Sequence, residues 1–342
     1  MNKFKYYFIL IITSLSLFSC SKDDNSVTAE PLRDFQEQFT TDNTTIEEYL
    51  KSYYIDVVNA PGQPEDQDVV FTKIPTGGSQ SSIWSYLGSS TFPKLKTKEV
   101  KLHDITYVVY YLILREGTGD RPCNVDGVLS AYKGDYLYRT AAVAEKPATA
   151  TTAYVPAVPS QLLASQFEKV IYPQTFLNLY ETITGWSEVF PEFKTGDAPI
   201  SNVDGTVTYN NFGAGVMFLP SGLGYYSSGS GSIPSYAPLV FSFKLYTIKR
   251  SDLDNDGIPS YLEDLNGDNY VRTFAAGVAN PDDFDKDGIP DYLDIDDDAD
   301  SYTTRSEITV NGVVTPFNLI PDCSGNTTNA SRTKKHLDKN CH

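Results

Sequence analysis

Histidine and cysteine are scarce in this 342-residue chain, with three of the first and four of the second. His103, His336 and His342 are dispersed, and no cysteine has metal-ligand spacing. Both facts argue against a zinc centre and against Cys/His nucleophilic chemistry. Basic residues are also in deficit. Twenty-seven Lys and Arg face 44 Asp and Glu, a formal net charge of −17. So acidic a surface repels nucleic acid and anionic lipid head groups, which argues against both as partners. The amino-terminal apolar run, Tyr6 to Phe18, has 13 residues, too few to span a bilayer as a helix. No carboxylate pair stands out for glycan or polymer hydrolysis, because the acids crowd into 252–307.

What the chain does have is aromatic side chains, 13% of its residues with 24 tyrosines. They favour strands over helices. Its length suffices for one sizeable core plus smaller appended segments.

The first residues read as a targeting leader. Lys3 and Lys5 precede the apolar run, which ends at Leu17-Phe18-Ser19-Cys20. This segment resembles a bacterial lipobox, with residues 1–19 as signal peptide and Cys20 as the lipidated residue. The following Ser-Lys-Asp-Asp-Asn resembles the acidic surface-export signals of Bacteroidetes lipoproteins. That resemblance implies attachment to the outer membrane of the cell envelope through two or three acyl chains at Cys20. The plainer reading is an ordinary signal peptide with an incidental cysteine. Cys323 and Cys341 can close a loop in the tail and leave Cys123 single, but spacing alone does not assign the pairing.

Residues 20–40 read as a polar tether. Thr44 to Tyr54 has the signature of a capped helix, with Thr44 as N-cap, acids in the first turn and apolar residues at 46, 49, 50 and 53. Residues 69–74 read as a short strand, and 41–99 as an amino-terminal extension beside the main domain. The main domain, 100–249, shows strands at 105–114, 125–132, 215–220 and 239–248. Phe167, Ile171 and Phe176 suggest another. Residues 141–160, rich in Ala, Thr and Pro, read as an inserted flexible loop. Trp186, Phe190 and Phe193 recur at helical spacing, with Gly196 as the stop. These elements imply a bent antiparallel sheet wrapped on one short helix.

Several segments, in order, resemble an FKBP-type peptidyl-prolyl cis-trans isomerase. They are Tyr132 with Gly134, Phe167, Ile183-x-Gly-Trp-x-Glu, Pro220-Ser-x-Leu-x-Tyr225, and Ile233-Pro running into Leu239-Val-Phe-x-Phe-x-Leu. The resemblance implies an α+β, FKBP-like fold. It assigns pocket roles to Tyr132, Phe167, Glu168, Ile183, Trp186, Tyr225, Ile233 and Phe241, with no cofactor for catalysis. By the same resemblance, Trp186 forms the floor, Tyr132, Phe167 and Phe241 the walls, and the Ile183 N–H and Tyr225 hydroxyl hold substrate carbonyls. The expected partners are proline-containing exported polypeptides. Plain core packing is the bland reading of each aromatic, and a non-catalytic surface binding or adhesion lipoprotein is the alternative for the whole.

The acidic segment, 250–310, is a repeat. Asp252-x-Asp254-x-Asp256-Gly ends at Glu263, and Asp283-x-Asp285-x-Asp287-Gly ends at Asp294, with Asp291 between. Asp296, Asp298, Asp300 and Glu307 form a third copy, and Asp264, Asn266 and Asp268 a partial fourth. Oxygen donors at alternate positions, a glycine at the sixth and an acid at the twelfth suit a calcium ion. Pro259 and Pro290 at the eighth position disfavour a true EF-hand. The pattern resembles thrombospondin type 3 repeats, which implies structural calcium with little regular structure. A disordered acidic linker is the competing reading. Residues 311–342 form a tail without a readable role.

Overall fold

The computed structural model describes residues 31–149 and 151–341. The expected signal peptide, Cys20 and the first part of the tether lie outside the described residues. Among the described residues, no helix is long and apolar enough to cross a membrane.

The first helix, α1, spans Phe35–Ser52. Asp34 caps it by accepting hydrogen bonds from the N–H groups of Gln36 (2.8 Å) and Glu37 (3.1 Å). This corrects the expected tether and the expected cap at Thr44. The helix stops where Tyr53-Tyr-Ile-Asp-Val turns extended and becomes strand β1 (Tyr53–Val57), paired antiparallel with β2 (Val69–Lys73). Aromatic and β-branched residues fit the pleated surface better than a helix.

A seven-stranded antiparallel sheet follows. Its strands are β3 (Lys94–Leu102), β4 (Ile105–Arg115), β5 (Gly127–Arg139), β6 (Leu162–Val170), the short β7 (Leu177–Asn178), β10 (Gly213–Leu219) and β11 (Leu239–Lys249). The spatial order is β3-β4-β10-β11-β5-β6, with β7 also on β5. Between β7 and β10 come helix α2 (Thr184–Val189), a 3-10 turn at Phe190–Glu192, and a hairpin of β8 (Ile200–Ser201) with β9 (Val207–Thr208). β3 begins ahead of the expected domain start, and β5 runs past its expected end. Ile171 and Phe176 are exposed and lie outside the strands, contrary to the expected strand character. The 141–160 insertion carries antiparallel bridges at Val143–Val158 and Lys146–Val155.

Both faces of the sheet are covered. Successive strand residues point to opposite faces. Leu112, Leu114, Val216, Phe218 and Val240 pack against Ile46, Tyr49 and Leu50 of α1. Val109, Ile113, Met217, Leu219, Phe241 and Phe243 pack against Trp186, Val189 and Phe190 on the other side. β10 is therefore buried at every position. Each large apolar side chain so buried contributes roughly 1.5–3 kcal/mol by leaving water. The amino-terminal extension thus covers one face of the sheet. It also makes polar contacts with the sheet: the buried Lys244 of β11 reaches Asp68 Oδ1 and the Pro64 carbonyl, both at 2.5 Å.

The carboxy-terminal segment carries α3 (Thr304–Ile308) and a hairpin of β12 (Thr309–Val310) with β13 (Val313–Val314). Ile258, Ile308 and Ile320 form a small core, and Cys323 is disulfide-bonded to Cys341. Cys123 is buried and free, and packs with Val125, Val271 and Tyr292.

Candidate active site

α2 carries Trp186 to the face of the sheet opposite α1, where four rings from four elements meet. The Trp186 indole stands edge-to-face against Tyr132 of β5 at 4.9 Å and Phe241 of β11 at 5.2 Å. Phe167 of β6 meets Phe241 at 5.6 Å, with the planes 87° apart. Edge-to-face pairs of this kind are favoured by the ring quadrupoles.

Phe167 owes its place to a β-bulge. Gly134 pairs with Glu168, and Asp135 with Gln166, so Phe167 is the extra residue. A bulge re-aims a side chain. Here the ring lies over Gly134, where a Cβ would stand 2.3 Å from Phe167 Cζ. Next door, burial, followed by the nearby Glu168 carboxylate, holds the Tyr132 hydroxyl protonated well beyond the usual tyrosine range.

Ile183 precedes α2 as its N-cap, and its carbonyl accepts from the Trp186 N–H at 2.9 Å. Among the described residues none accepts a hydrogen bond from the Ile183 N–H or the Tyr225 hydroxyl. The buried Trp186 Nε1 also lacks a partner. Tyr225 and Ile233 complete the same apolar cluster. All eight positions singled out from the sequence therefore come together.

Two residues outside that set brace the loop bearing Tyr225. Asp42 of α1, fully buried, accepts from Ser221 N at 2.8 Å and Ser221 Oγ at 2.6 Å. Gln38 donates to Asp42 Oδ1 at 2.6 Å and to the Tyr236 carbonyl at 3.3 Å.

The acidic segment is built from four loops of one backbone design. Positions four and six have positive φ in each: Asn255 and Gly257, Gly267 and Asn269, Lys286 and Gly288, Ala299 and Ser301. In each, the N–H at position five bonds to the side chain at position three, and the N–H at six to the acid at one. This gathers Asp252, Asp254 and Asp256 within 4.8 Å of one another. It does the same for Asp283, Asp285 and Asp287, and for Asp296, Asp298 and Asp300. The Asp264–Asn266–Asp268 loop has the backbone but no acid at its twelfth position.

A cation fits the first loop. Asp252 Oδ1, Asp254 Oδ2, Asp256 Oδ2 and both Glu263 oxygens are buried without a hydrogen-bond partner, as are Asp298 Oδ2 and both Glu307 oxygens in the last loop. Burial first, then the neighbouring carboxylates, pushes Asp254 up to about 8 and Glu307 up to about 8. Hard oxygen donors in this arrangement suit calcium. Asp291 Oδ1 instead accepts from Phe284 N at 2.8 Å, as Ser260 Oγ accepts from Leu253 N and Thr304 Oγ1 from Asp297 N. That oxygen closes its loop.

The acidic segment docks on the helix that carries Trp186. The Tyr270 hydroxyl donates to the Glu188 carbonyl at 3.0 Å, and Lys98 and Arg272 pair with the Glu188 carboxylate at 3.1 and 3.3 Å.

Residues 253–330 match the family model described as BamM C-terminal. This finding replaces the expected thrombospondin type 3 repeats, a reading that rested on the loop pattern and its repeat. That spacing specifies the turn of each acidic loop and leaves open what surrounds it. Here α3, a hairpin and a small isoleucine core surround it. No curated protein matches the chain. Among solved structures, a peptidyl-prolyl cis-trans isomerase from Pseudomonas syringae pv. tomato str. DC3000 is similar over 64% of this chain and 99% of its own, with 14% identity and a TM-score of 0.32. FkpA from Escherichia coli is similar over 63% of this chain, with 15% identity and a TM-score of 0.30. The chain spans 60% of FkpA's length. Likeness at these scores carries no weight for activity.

Proposed function

We propose that the chain is a peptidyl-prolyl cis-trans isomerase acting through the aromatic cluster, with the acidic loops as a structural calcium module. The observation that carries the reading is the meeting of Trp186, Tyr132, Phe167 and Phe241 beside two donors without partners among the described residues, the Ile183 N–H and the Tyr225 hydroxyl. Rotation about a peptide bond faces a barrier of about 18–20 kcal/mol, and X-Pro bonds isomerise in tens of seconds or more unaided. The planar amide is held by charge-separated resonance, and the twisted amide has lost it. An apolar, water-poor bowl therefore favours the twisted state over the planar one, with no nucleophile and no metal in the step. The two donors would grip flanking carbonyls and fix the twist. In this reading the clients are proline-containing exported polypeptides, and Cys20 is the lipid anchor to the outer membrane.

The test is cis–trans isomerisation of a short X-Pro peptide by the whole chain. Acceleration is expected, lowered several-fold by Tyr225→Phe. A rate equal to the uncatalysed one would sink the proposal. Gly134→Ala is a second expected result. The new methyl displaces the Phe167 ring, so kcat/KM drops roughly tenfold or more, while overpacking costs about 1–3 kcal/mol of stability. An unchanged kcat/KM would show that Phe167 is not part of the working surface.

A further inference from the structure

One cluster of carboxylates lies outside the four loops as such. Asp256, Glu263 and Asp297 present oxygens within 4.8 Å of one another, although Asp297 comes from the last loop and the other two from the first. They are 2%, 3% and 2% exposed. Asp256 Oδ2, Asp297 Oδ1 and both oxygens of Glu263 have no hydrogen-bond partner. Among the described residues, no Lys, Arg or His lies within ion-pair distance of any of the three. Arg305, a neighbour of Asp256, donates instead to the Asn255 carbonyl at 3.0 Å.

Three buried carboxylates with orphaned oxygens cost several kcal/mol each unless something positive joins them. Hydrophobic neighbours do not supply that charge, and an all-oxygen donor set is the preference of a hard divalent cation. The chain also explains how Asp297 reaches the first loop. Within Asp296-Asp297-Asp298, the outer two turn to Asp300, while Asp297 turns to Asp256 and Glu263.

We propose that Asp256, Glu263 and Asp297 hold a calcium ion of their own, with Asp256 shared between it and the ion of the first loop. The bridge staples the first loop to the last across 41 residues, from Asp256 to Asp297. It rests on the calcium reading of the loops, and the test separates the two. Calcium bound per whole chain is counted by native mass spectrometry for wild type, Asp297→Asn, Asp297→Ser and Asp285→Asn, each checked for a native circular dichroism spectrum. Both Asp297 variants are expected to bind one calcium fewer than wild type. At saturating calcium they should also be cleaved within 253–330 at least tenfold faster. Asp285→Asn should lose its own loop's ion and keep the bridging one. A wild-type calcium count in either natively folded Asp297 variant overturns the bridging site and leaves the loops standing. A wild type that binds no calcium overturns both.

Discussion

Phe241→Ala is expected to abolish the acceleration of X-Pro isomerisation and to lower stability by about 3–5 kcal/mol. Phe241 is the hub of the cluster. Its ring meets Trp186 at 5.2 Å, Phe167 at 5.6 Å and Tyr132 at 6.3 Å, and it is 3% exposed. Truncation to alanine removes a wall and lets water reach the indole. Water restores the solvation of the planar amide, which is the state the bowl must disfavour. Loss of fold is the competing explanation, so Phe241→Leu belongs in the same experiment. Leucine keeps most of the volume and the strand, and typically costs less stability. Kinetics and a thermal melt are read together. A natively folded Phe241→Leu with wild-type kcat/KM would show that the ring takes no part, and the isomerase proposal would lose its main support.

Calcium removal is expected to have the next largest effect. EGTA should make 253–330 sensitive to protease and lower the melting temperature of the whole chain. At free calcium a hundredfold above Kd, one site contributes about 2.7 kcal/mol. For a domain of this size, each kcal/mol is worth roughly 2–4 °C, so a shift of about 5–10 °C per ion follows from the same constants. The chelated loops would keep the backbone bonds from positions five and six, but Asp256, Glu263 and Asp297 would face one another with nothing between. Re-added calcium should restore protection, and magnesium less so, because it demands a tighter octahedral shell. Identical digestion patterns and melts with and without EGTA would rule calcium out as a structural element. Because Tyr270, Arg272 and Lys98 converge on Glu188 of α2, the chelated chain should also show weaker isomerase activity.

The strands and the aromatic cluster were legible because apolar alternation and the Pro220-to-Tyr225 and Ile233-to-Leu245 segments are local signals. The extent of α1 was not. Phe35, Phe39, Ile46, Tyr49 and Leu50 form a stripe, but Gln38 and Asp42 lie within it and break the apolar pattern. They are buried because Ser221 and the Tyr236 carbonyl, far along the chain, satisfy them. A helix pattern read along the chain cannot include partners that the fold supplies later. Gly134 had a similar fate. It stood only as one match in the family resemblance, and the bulge at Phe167 gives its bare Cα a purpose. Asp297 left no signal at all, since it occupies the second position of its loop, where the calcium template asks for nothing. Only the approach of the first loop to the last brings it against Asp256 and Glu263.

The strand order carries a consequence for how the molecule is made. β10 and β11 are the last strands of the sheet in the chain and its two central ones, wedged between β4 and β5. Two hairpins, β3-β4 and β5-β6, can form from local contacts as the chain emerges, but nothing joins them until 213–249 has been synthesised. α1, the first element among the described residues, must wait as well, because Val216, Phe218 and Val240 are part of the face it covers. At 5–20 residues per second, that wait is roughly 10–40 s. Such high contact order makes folding slow and closes it all at once. The chain is exposed to misassembly for as long as its own centre is missing.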